Sequence, residues 1–226
     1  YDYQQVRQVY LPPANRWAVW RDKPLEVAHR SWFFEHAALF AELTTTRVKP
    51  ANAAWVLERC ARDKDRPFFL ALGFFRPHTP YVAPKPYFES YPKDKVELVP
   101  DPAADRASKP QVALSNTAVA NYGMTEDTQR TAKQAYLASM TFMDAQFGLV
   151  LAELKKQGLD KNTIVIFISD HGYNLGEHGL WQKRSLYEDS ARVPFIIRDP
   201  DSKANGQSSK RVAELVDLYP TIADLC

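Results

Sequence analysis

The stretch IVIFISDHGYNLGEHGLWQK, residues 164–183, joins an apolar run to a dense set of ionisable side chains. The run ends at Ser169, and Asp170 and His171 follow it directly. If a strand ends there and Gly172 lets the backbone turn, both side chains can reach one ion. A carboxylate favours a hard cation such as Ca²⁺ or Mg²⁺, and an imidazole also accepts softer ions. The pair therefore indicates two metal ligands; the alternative is a turn cap beside a surface histidine.

Three further ionisable residues lie in the same stretch. Lys183 carries a compact ammonium that suits an anionic oxygen group, although most lysines are simply solvated. Glu177 and His178 could orient a metal ligand or brace the loop. Since two ligands alone do not hold a metal ion, the remaining ligands must come from elsewhere.

His78 is a second candidate site residue. It stands between Pro77 and Pro80 in the segment GFFRPHTPYVAP, residues 73–84. Proline restricts its own backbone and that of the preceding residue, and so helps to aim the imidazole. The alternative is a histidine that merely caps a loop.

Amphipathic segments predict the helices that position these residues. The apolar residues recur at helical spacing in three segments, 25–43, 52–62 and 128–157. Gly158 ends the third helix. A final helix is expected from Asp217, with Pro220 in its first turn.

Three short apolar runs predict strands that are buried on both faces: 68–75, 163–168 and 193–197. Helices alternating with such strands indicate an α/β fold with a largely parallel sheet flanked by helices. His78 and Asp170 then follow strands at the carboxyl edge, where open α/β sheets bind ligands. Residues 76–110, rich in proline and tyrosine, are expected to form an ordered excursion over the surface.

The composition excludes several classes of protein. With 226 residues, 45% of them apolar, the chain can bury a core, and 29 basic against 27 acidic residues give a net charge of only +2. A nucleic-acid or membrane-surface partner is therefore not expected, and no apolar stretch reaches the length of a membrane span. Two cysteines cannot form a disulfide framework. The helical spacing of Cys60 from Val56 and Leu57 predicts a buried structural thiol. Without an initiating methionine, the chain is expected to be a piece of a longer protein.

Three segments together resemble the type I sulfatases of the alkaline phosphatase superfamily: SDHGYNLGEHGLWQK, RPFFLALGFFRPHTPYVAPKPYFESYP and ELVDLYPTIADLC. The branches that they resemble are the iduronate-2-sulfatase-like and choline-sulfatase-like ones. The resemblance covers most of the chain from about residue 66 to its end. It implies an alkaline-phosphatase-like α/β fold, in which residues 1–226 are part of a single catalytic domain without its nucleophile region and C-terminal subdomain.

The resemblance also implies a role for each candidate residue. Asp170 and His171 look like ligands of a divalent cation, usually calcium in this family, with magnesium as the alternative. Lys183 looks like the lysine that holds the sulfate oxygens. His78 looks like the histidine that contacts the sulfate ester near its leaving oxygen, where it can donate a proton.

One part of a sulfatase site is missing from the sequence. Sulfatases use a formylglycine nucleophile made from Cys or Ser in a Cys/Ser-x-Pro/Ala-x-Arg motif. Cys60 is followed at the two diagnostic positions by Arg62 and Lys64, and no serine satisfies the motif either. The nucleophile and the paired aspartates that complete the metal site are expected upstream, and the 226 residues alone are expected to be inactive.

The expected function is hydrolysis of sulfate monoesters, with a carbohydrate sulfate as the anionic substrate. Two alternatives stay open: a phosphonate monoester or phosphodiester hydrolase of the same superfamily, and a non-catalytic binding module with a sulfatase fold. The family resemblance implies an exported protein, either periplasmic, secreted or lysosomal.

Overall fold

Six α-helices and four strands form the regular structure of the residues that the computed structural model describes, 51–63, 67–100, 102–114 and 119–226. The helices are α1 Ala51–Arg62, α2 Lys85–Glu89, α3 Pro102–Ala107, α4 Glu126–Lys156, α5 Glu188–Ala191 and α6 Leu218–Leu225. The strands are β1 Val165–Ile168, β2 Asn174–Leu175, β3 Trp181–Gln182 and β4 Phe195–Arg198. The helix expected at 25–43 lies outside the described residues.

Helix α4 confirms the helix predicted at 128–157, the strongest periodic pattern in the sequence. The helix begins two residues earlier than expected. The side chain of Thr125 accepts a hydrogen bond from the backbone N–H of Thr128 at 3.3 Å, which caps the first turn. Acidic residues in the first turn and lysines in the last complement the helix dipole. Gly158 takes a left-handed φ of 71°, and its N–H donates to the carbonyl of Lys155, so the helix ends where expected.

The main core lies between α1 and the end of α4. Leu57 is 1% exposed and packs with Leu154 and Leu159. Cys60 lies beside this core, half-buried, and burial raises the pKa of its thiol. The predicted helix at 52–62 is thereby confirmed, because its apolar face is the one that contacts α4.

Residues 68–75 do not form the strand that their apolar run predicts. The segment carries no regular secondary structure, and Phe69 and Phe75 are 43% and 45% exposed. Leu70 and Leu72 pack against the α1 core. Alternate residues thus face the helix, but no strand in the described part of the chain pairs with this segment, so the prediction of burial on both faces is wrong.

Strands β1 and β4 confirm that the runs at 163–168 and 193–197 contain strands, but both described strand pairs are antiparallel, so the expectation of a largely parallel sheet is wrong for these strands. Alternate residues of β4 are exposed, with Ile196 at 58%, so the expectation of burial on both faces is also wrong there. Val165 lies opposite Arg198, and Ile168 lies opposite Phe195. Residues 169–194, which connect the two strands, contain the antiparallel β2–β3 hairpin and the four-residue α5. A parallel pair needs a crossover of a dozen or more residues, usually a helix, and this connection instead returns the chain beside the strand that it left.

The proline-rich segment is an ordered excursion packed on α4, as its composition predicts. The Tyr91 hydroxyl lies 2.6 Å from Thr141 Oγ1, and Gln134 Nε2 donates to the Tyr91 carbonyl at 2.7 Å. The ring of Tyr87 lies 5.3 Å from that of Phe142. Side chains of α4 therefore hold the excursion that begins at the His78 loop.

Among the described residues, α4 is long and apolar enough to cross a membrane by length and composition alone. The expectation that no segment reaches that length is wrong on this measure. One such helix is weak evidence for a membrane span, and α4 also packs against other segments of the chain. Phe147 packs against Phe74 at 6.2 Å and Phe167 at 5.0 Å between ring centroids.

The predicted final helix is confirmed within one residue. A turn of 3₁₀-helix, Leu215–Asp217, precedes α6, and the backbone N–H of Glu214 donates to Asp217 Oδ2 at 2.9 Å. This contact belongs to a capping box, which satisfies backbone donors at the start of the helix.

Replacing Leu57 with alanine tests the α1–α4 core. Loss of this buried side chain is expected to lower the free energy of unfolding by about 2–5 kcal/mol, because a cavity remains between the two helices. Urea titration of the whole protein measures the change. Leu186→Ala is the matched control, since Leu186 is 98% exposed; equal losses in both variants would contradict the assigned core.

Candidate active site

Asp170 and His171 stand directly beyond the end of β1. Ser169 Oγ donates to the carbonyl of His171 at 2.8 Å, and Asp170 Oδ1 accepts from the backbone N–H of His171 at 3.1 Å. These local bonds bend the chain, so both side chains emerge on the same side of the turn. Asp170 Oδ2 then lies 3.6 Å from His171 Nε2.

The tautomer of His171 leaves a nitrogen lone pair directed at Asp170. Its Nδ1 lies 2.7 Å from the Gly172 carbonyl, which can only accept, so Nδ1 carries the proton. In the neutral ring, Nε2 is left with a lone pair that faces Asp170 Oδ2. Two electron-pair donors that face each other suit a cation bound by both, so the donors fit a divalent ion. No group of three or more His, Cys, Asp or Glu side chains that could hold a metal occurs among the described residues.

Gly172 is required by a close approach between two backbone segments. A Cβ at this position would lie 2.1 Å from the carbonyl oxygen of Asp189 and 2.9 Å from that of Arg192. The Gly172 N–H donates to the Ser190 carbonyl at 2.7 Å. Its φ lies outside the left-handed region. Glycine is therefore required here because the α5 backbone lies so close, and not because the turn needs a left-handed residue, as the sequence suggested.

The β2–β3 hairpin places Lys183, which follows β3 directly. Asn174 is 1% exposed, and its Nδ2 donates to the Gln182 carbonyl at 2.8 Å and to Ser190 Oγ at 2.6 Å. These bonds join the hairpin to α5. Lys183 is half-buried and makes no hydrogen bond or ion pair with any residue that the structure describes.

Glu177 and His178 hold the hairpin in place. Glu177 Oε2 accepts from the backbone N–H of Leu175, within the hairpin itself. His178 Nδ1 lies 2.6 Å from Asp105 Oδ2 on α3, and this bond holds the pKa of Asp105 below its usual value. Arg106 also donates to the His178 carbonyl. Of the two roles open to these residues, bracing the loop is the one their contacts show.

His78 lies exposed in a tight turn. Its Nδ1 lies 2.7 Å from the carbonyl of Thr79, so Nδ1 is again the proton-bearing nitrogen and Nε2 is left for other partners. The ring packs against that of Phe75 at 4.8 Å between centroids. The imidazole is therefore held from one side by an aromatic ring and from the other by its own backbone.

Two tyrosines connect the His78 turn to the Asp170 segment. The hydroxyls of Tyr81 and Tyr173 lie 2.5 Å apart, three residues after His78 and two after His171. Tyr136 of α4 stacks on Tyr173 at 4.9 Å and meets Tyr81 edge-on at 5.8 Å. Burial raises the pKa of Tyr136 to about 12 and also raises that of Tyr81, so both stay protonated at neutral pH.

Sequence reasoning missed the residues that position the candidates: Arg76, Tyr81, Asn174 and Tyr173. The available signal was proximity, since each lies within three residues of a predicted site residue in the sequence. Nothing in the residue types alone distinguishes such a brace from an ordinary polar or aromatic residue.

The sulfatase family profile matches residues 18–226. This chain belongs to the sulfatase family. The match begins well before residue 66, where the motif resemblance begins. The resemblance drawn from the three motif segments is therefore confirmed, over more of the chain than expected.

Individual relatives agree with the family match. A sulfatase of Formosa agariphila is 36% identical over 191 residues, which cover 82% of this chain and 38% of the relative. The iduronate 2-sulfatase of Mus musculus is 35% identical over 196 residues, which cover 70% of this chain and 36% of the relative. The solved structure of the phosphonate monoester hydrolase of Silicibacter pomeroyi superposes with a TM-score of 0.65 at 28% identity. The superposition covers 77% of this chain and 37% of the hydrolase. The expected α/β, alkaline-phosphatase-like fold class is confirmed, and this chain spans little more than a third of these relatives.

Replacing Gly172 with alanine is expected to displace the Asp170 segment, because the new methyl group would collide with backbone rather than with a movable side chain. Divalent-cation affinity and thermal stability of the whole protein should both fall. Gly148→Ala is the matched control: a Cβ there meets nothing within 4 Å, and alanine favours a helix. Unchanged thermal stability in Gly172→Ala would contradict the close approach, and unchanged cation affinity would show that the approach does not position Asp170 and His171.

Proposed function

We propose that this chain contributes part of the active site of a divalent-metal-dependent sulfatase that hydrolyses sulfate monoesters, with a carbohydrate sulfate as substrate. One observation carries the proposal. In a chain of the sulfatase family, Asp170 Oδ2 and His171 Nε2 face each other just beyond β1, and Lys183, at the end of the hairpin that follows, has no partner among the described residues. We further propose that residues 1–226 belong to a single catalytic domain.

Asp170 and His171 supply one carboxylate and one imidazole to the cation. The carboxylate favours Ca²⁺, with Mg²⁺ as the alternative, since hard cations prefer oxygen ligands. The remaining ligands come from other parts of the protein, because the described residues contain no group of three or more His, Cys, Asp or Glu side chains that could hold a metal ion. A cation held there supplies Lewis-acid stabilisation of anionic oxygens during ester cleavage.

Lys183 binds the sulfate group as a point charge. A sulfate monoester carries negative charge on its oxygens, and Lys183 is a half-buried ammonium without an internal partner in the described structure. An ammonium that is already in place need not be reorganised when charge builds on those oxygens. Its hairpin is braced by Asn174 and His178, so the ammonium is carried on a supported element.

His78 donates the proton that the leaving group needs. When the ring is protonated, Nδ1–H stays on the Thr79 carbonyl and Nε2–H is available to the substrate. As the bond from sulfur to the ester oxygen breaks, that oxygen takes the Nε2 proton and departs as an alcohol. The backbone carbonyl at Nδ1 keeps the orientation of the ring.

The nucleophile belongs to a part of the protein outside these residues. No Cys/Ser-x-Pro/Ala-x-Arg motif occurs in the 226 residues. A formylglycine would supply the covalent attack on sulfur that the residues of this chain do not provide. The family resemblance also favours an exported protein.

A second candidate function is hydrolysis of phosphonate monoesters or phosphodiesters. The structural likeness to a phosphonate monoester hydrolase, at 28% identity, favours it. A phosphonate monoester is also a tetrahedral anion with an alkoxide or aryloxide leaving group, so the same cation and lysine would serve. The nucleophile region and the substrate pocket separate the two functions.

Peptide mapping of the mature protein by mass spectrometry tests the sulfatase proposal. A Cys/Ser-x-Pro/Ala-x-Arg peptide with the mass change of formylglycine formation is expected, together with turnover of a sulfate ester. A mature protein that contains no such peptide and hydrolyses no sulfate ester would contradict the proposal.

Asp170→Asn is expected to weaken Ca²⁺ binding and to lower kcat by more than about 10²-fold, because the neutral amide stabilises the cation less. Calorimetry measures the affinity, and a sulfate-ester assay measures the rate. Asp224→Asn, an exposed carboxylate on α6, is the control. Calcium affinity equal to that of the wild type would exclude Asp170 as a ligand.

Lys183→Ala is expected to raise KM and to lower kcat, with a loss of about 10²-fold in kcat/KM. Both constants should change because the ammonium meets the sulfate group in the ground state and in the transition state. Steady-state kinetics measure them. Lys210→Ala removes an exposed lysine and serves as the control; if the two variants behave alike, Lys183 is an ordinary surface residue.

A further inference from the structure

Arg76 is a buried cation at the base of the His78 turn. The residue is 9% exposed, and its Nη1 donates to the carbonyl of His78 at 3.1 Å and to that of Pro80 at 2.7 Å. Its Cζ lies 5.3 Å from the centroid of the Phe75 ring, the same ring against which His78 packs. The turn is therefore wrapped around one guanidinium.

This charge has no carboxylate partner in the described ranges, and its Nε is buried without an acceptor there. Burial lowers the pKa of the guanidinium from its usual value. A buried charge without an ion-pair partner destabilises a fold more than an apolar side chain of similar size. A methionine would fill the same space without that penalty, so packing alone does not account for an arginine here.

The hydrogen bonds of Arg76 constrain the orientation of the His78 imidazole. Three successive carbonyls of the turn are all occupied: Arg76 holds those of His78 and Pro80, and the His78 ring holds that of Thr79 between them. Because the two outer peptide units are held, the Thr79 carbonyl has a fixed direction. The imidazole that donates to it takes its orientation from that direction.

We infer that Arg76 is a positioning residue for His78: its guanidinium orients the turn so that Nδ1 stays on the Thr79 carbonyl and Nε2 faces the leaving oxygen. The inference rests on the proposed function, because it assigns Arg76 to the proton-donation step. It goes beyond that function by naming the residue on which the geometry of that step depends. Arg76 itself contacts backbone carbonyls and an aromatic ring, and it acts through His78.

The test uses the mature, full-length protein with bound cation and two substrates that differ in their leaving group. An alkyl sulfate, such as a sugar sulfate, needs a proton on its departing oxygen, whereas 4-nitrophenyl sulfate releases a stable anion. R76M is expected to lower kcat for the alkyl ester by about 10²-fold and to leave the aryl ester within about 3-fold. R76K keeps the charge on a side chain one bond shorter, and an intermediate loss is expected. Arg211→Met removes an exposed arginine as the control.

A double-mutant cycle with H78A identifies the route of the effect. If Arg76 acts through His78, adding R76M to H78A should change kcat by less than about 2-fold. Equal losses on both esters, or a full additional loss in the H78A background, would overturn the inference in favour of a general structural or electrostatic role. Should R76M fail to fold, R76K carries the same comparison, and an unchanged ratio of alkyl to aryl rates would overturn it.

Failure of the proposed function gives a different result. A wild-type protein that cleaves phosphonate monoesters instead permits the same comparison with alkyl and aryl phosphonates. If the wild type cleaves neither class, the proposed function fails, and a crystal structure of R76M decides the positioning role alone. A His78 ring released from the Thr79 carbonyl would support that role, and an unmoved ring would overturn it.

Discussion

The close contact between Gly172 and the α5 backbone is the constraint on which the candidate site depends. The Asp189 carbonyl lies too close to Gly172 for any side chain at that position. The N–H of Gly172 also donates a hydrogen bond to the Ser190 carbonyl. The chain leaving β1 is therefore held at the same place where the chain approaching β4 returns. This contact keeps Asp170 and His171 at the strand end, and Asn174 extends it to the hairpin that carries Lys183.

Aromatic and hydroxyl contacts connect the two halves of the site across the face of α4. Tyr81 and Tyr173 join the His78 turn to the Asp170 segment, and Tyr136 supports both rings. Half-buried tyrosines suit this role because they combine a large packing area with one hydroxyl that can meet a partner. A helix of 31 residues thus serves as the common support for segments that are far apart in sequence.

Two cationic side chains, Lys183 and Arg76, have no carboxylate partner among the described residues. Lys183 has no internal anionic partner in the described structure, and Arg76 is buried with only neutral carbonyls as acceptors. Asp170 Oδ2 and His171 Nε2 lie 3.6 Å apart and face each other. Two positive charges therefore lie in this part of the fold without a carboxylate partner among the described residues, and positive charge that is already in place can stabilise an anion without reorganisation.

The sequence by itself determined the chemical types of the candidate residues and the extent of α4, because helix periodicity, caps and terminal glycines act within a few residues. Only the tertiary structure decided that β1 and β4 pair antiparallel, that residues 68–75 form no strand, and that Gly172 is needed for a close approach. The Tyr81–Tyr173 bond spans 92 positions, and no local pattern encodes such a contact. The physical reason is that strand pairing and backbone approach depend on which distant segments the fold brings together, whereas residue type and helix spacing do not.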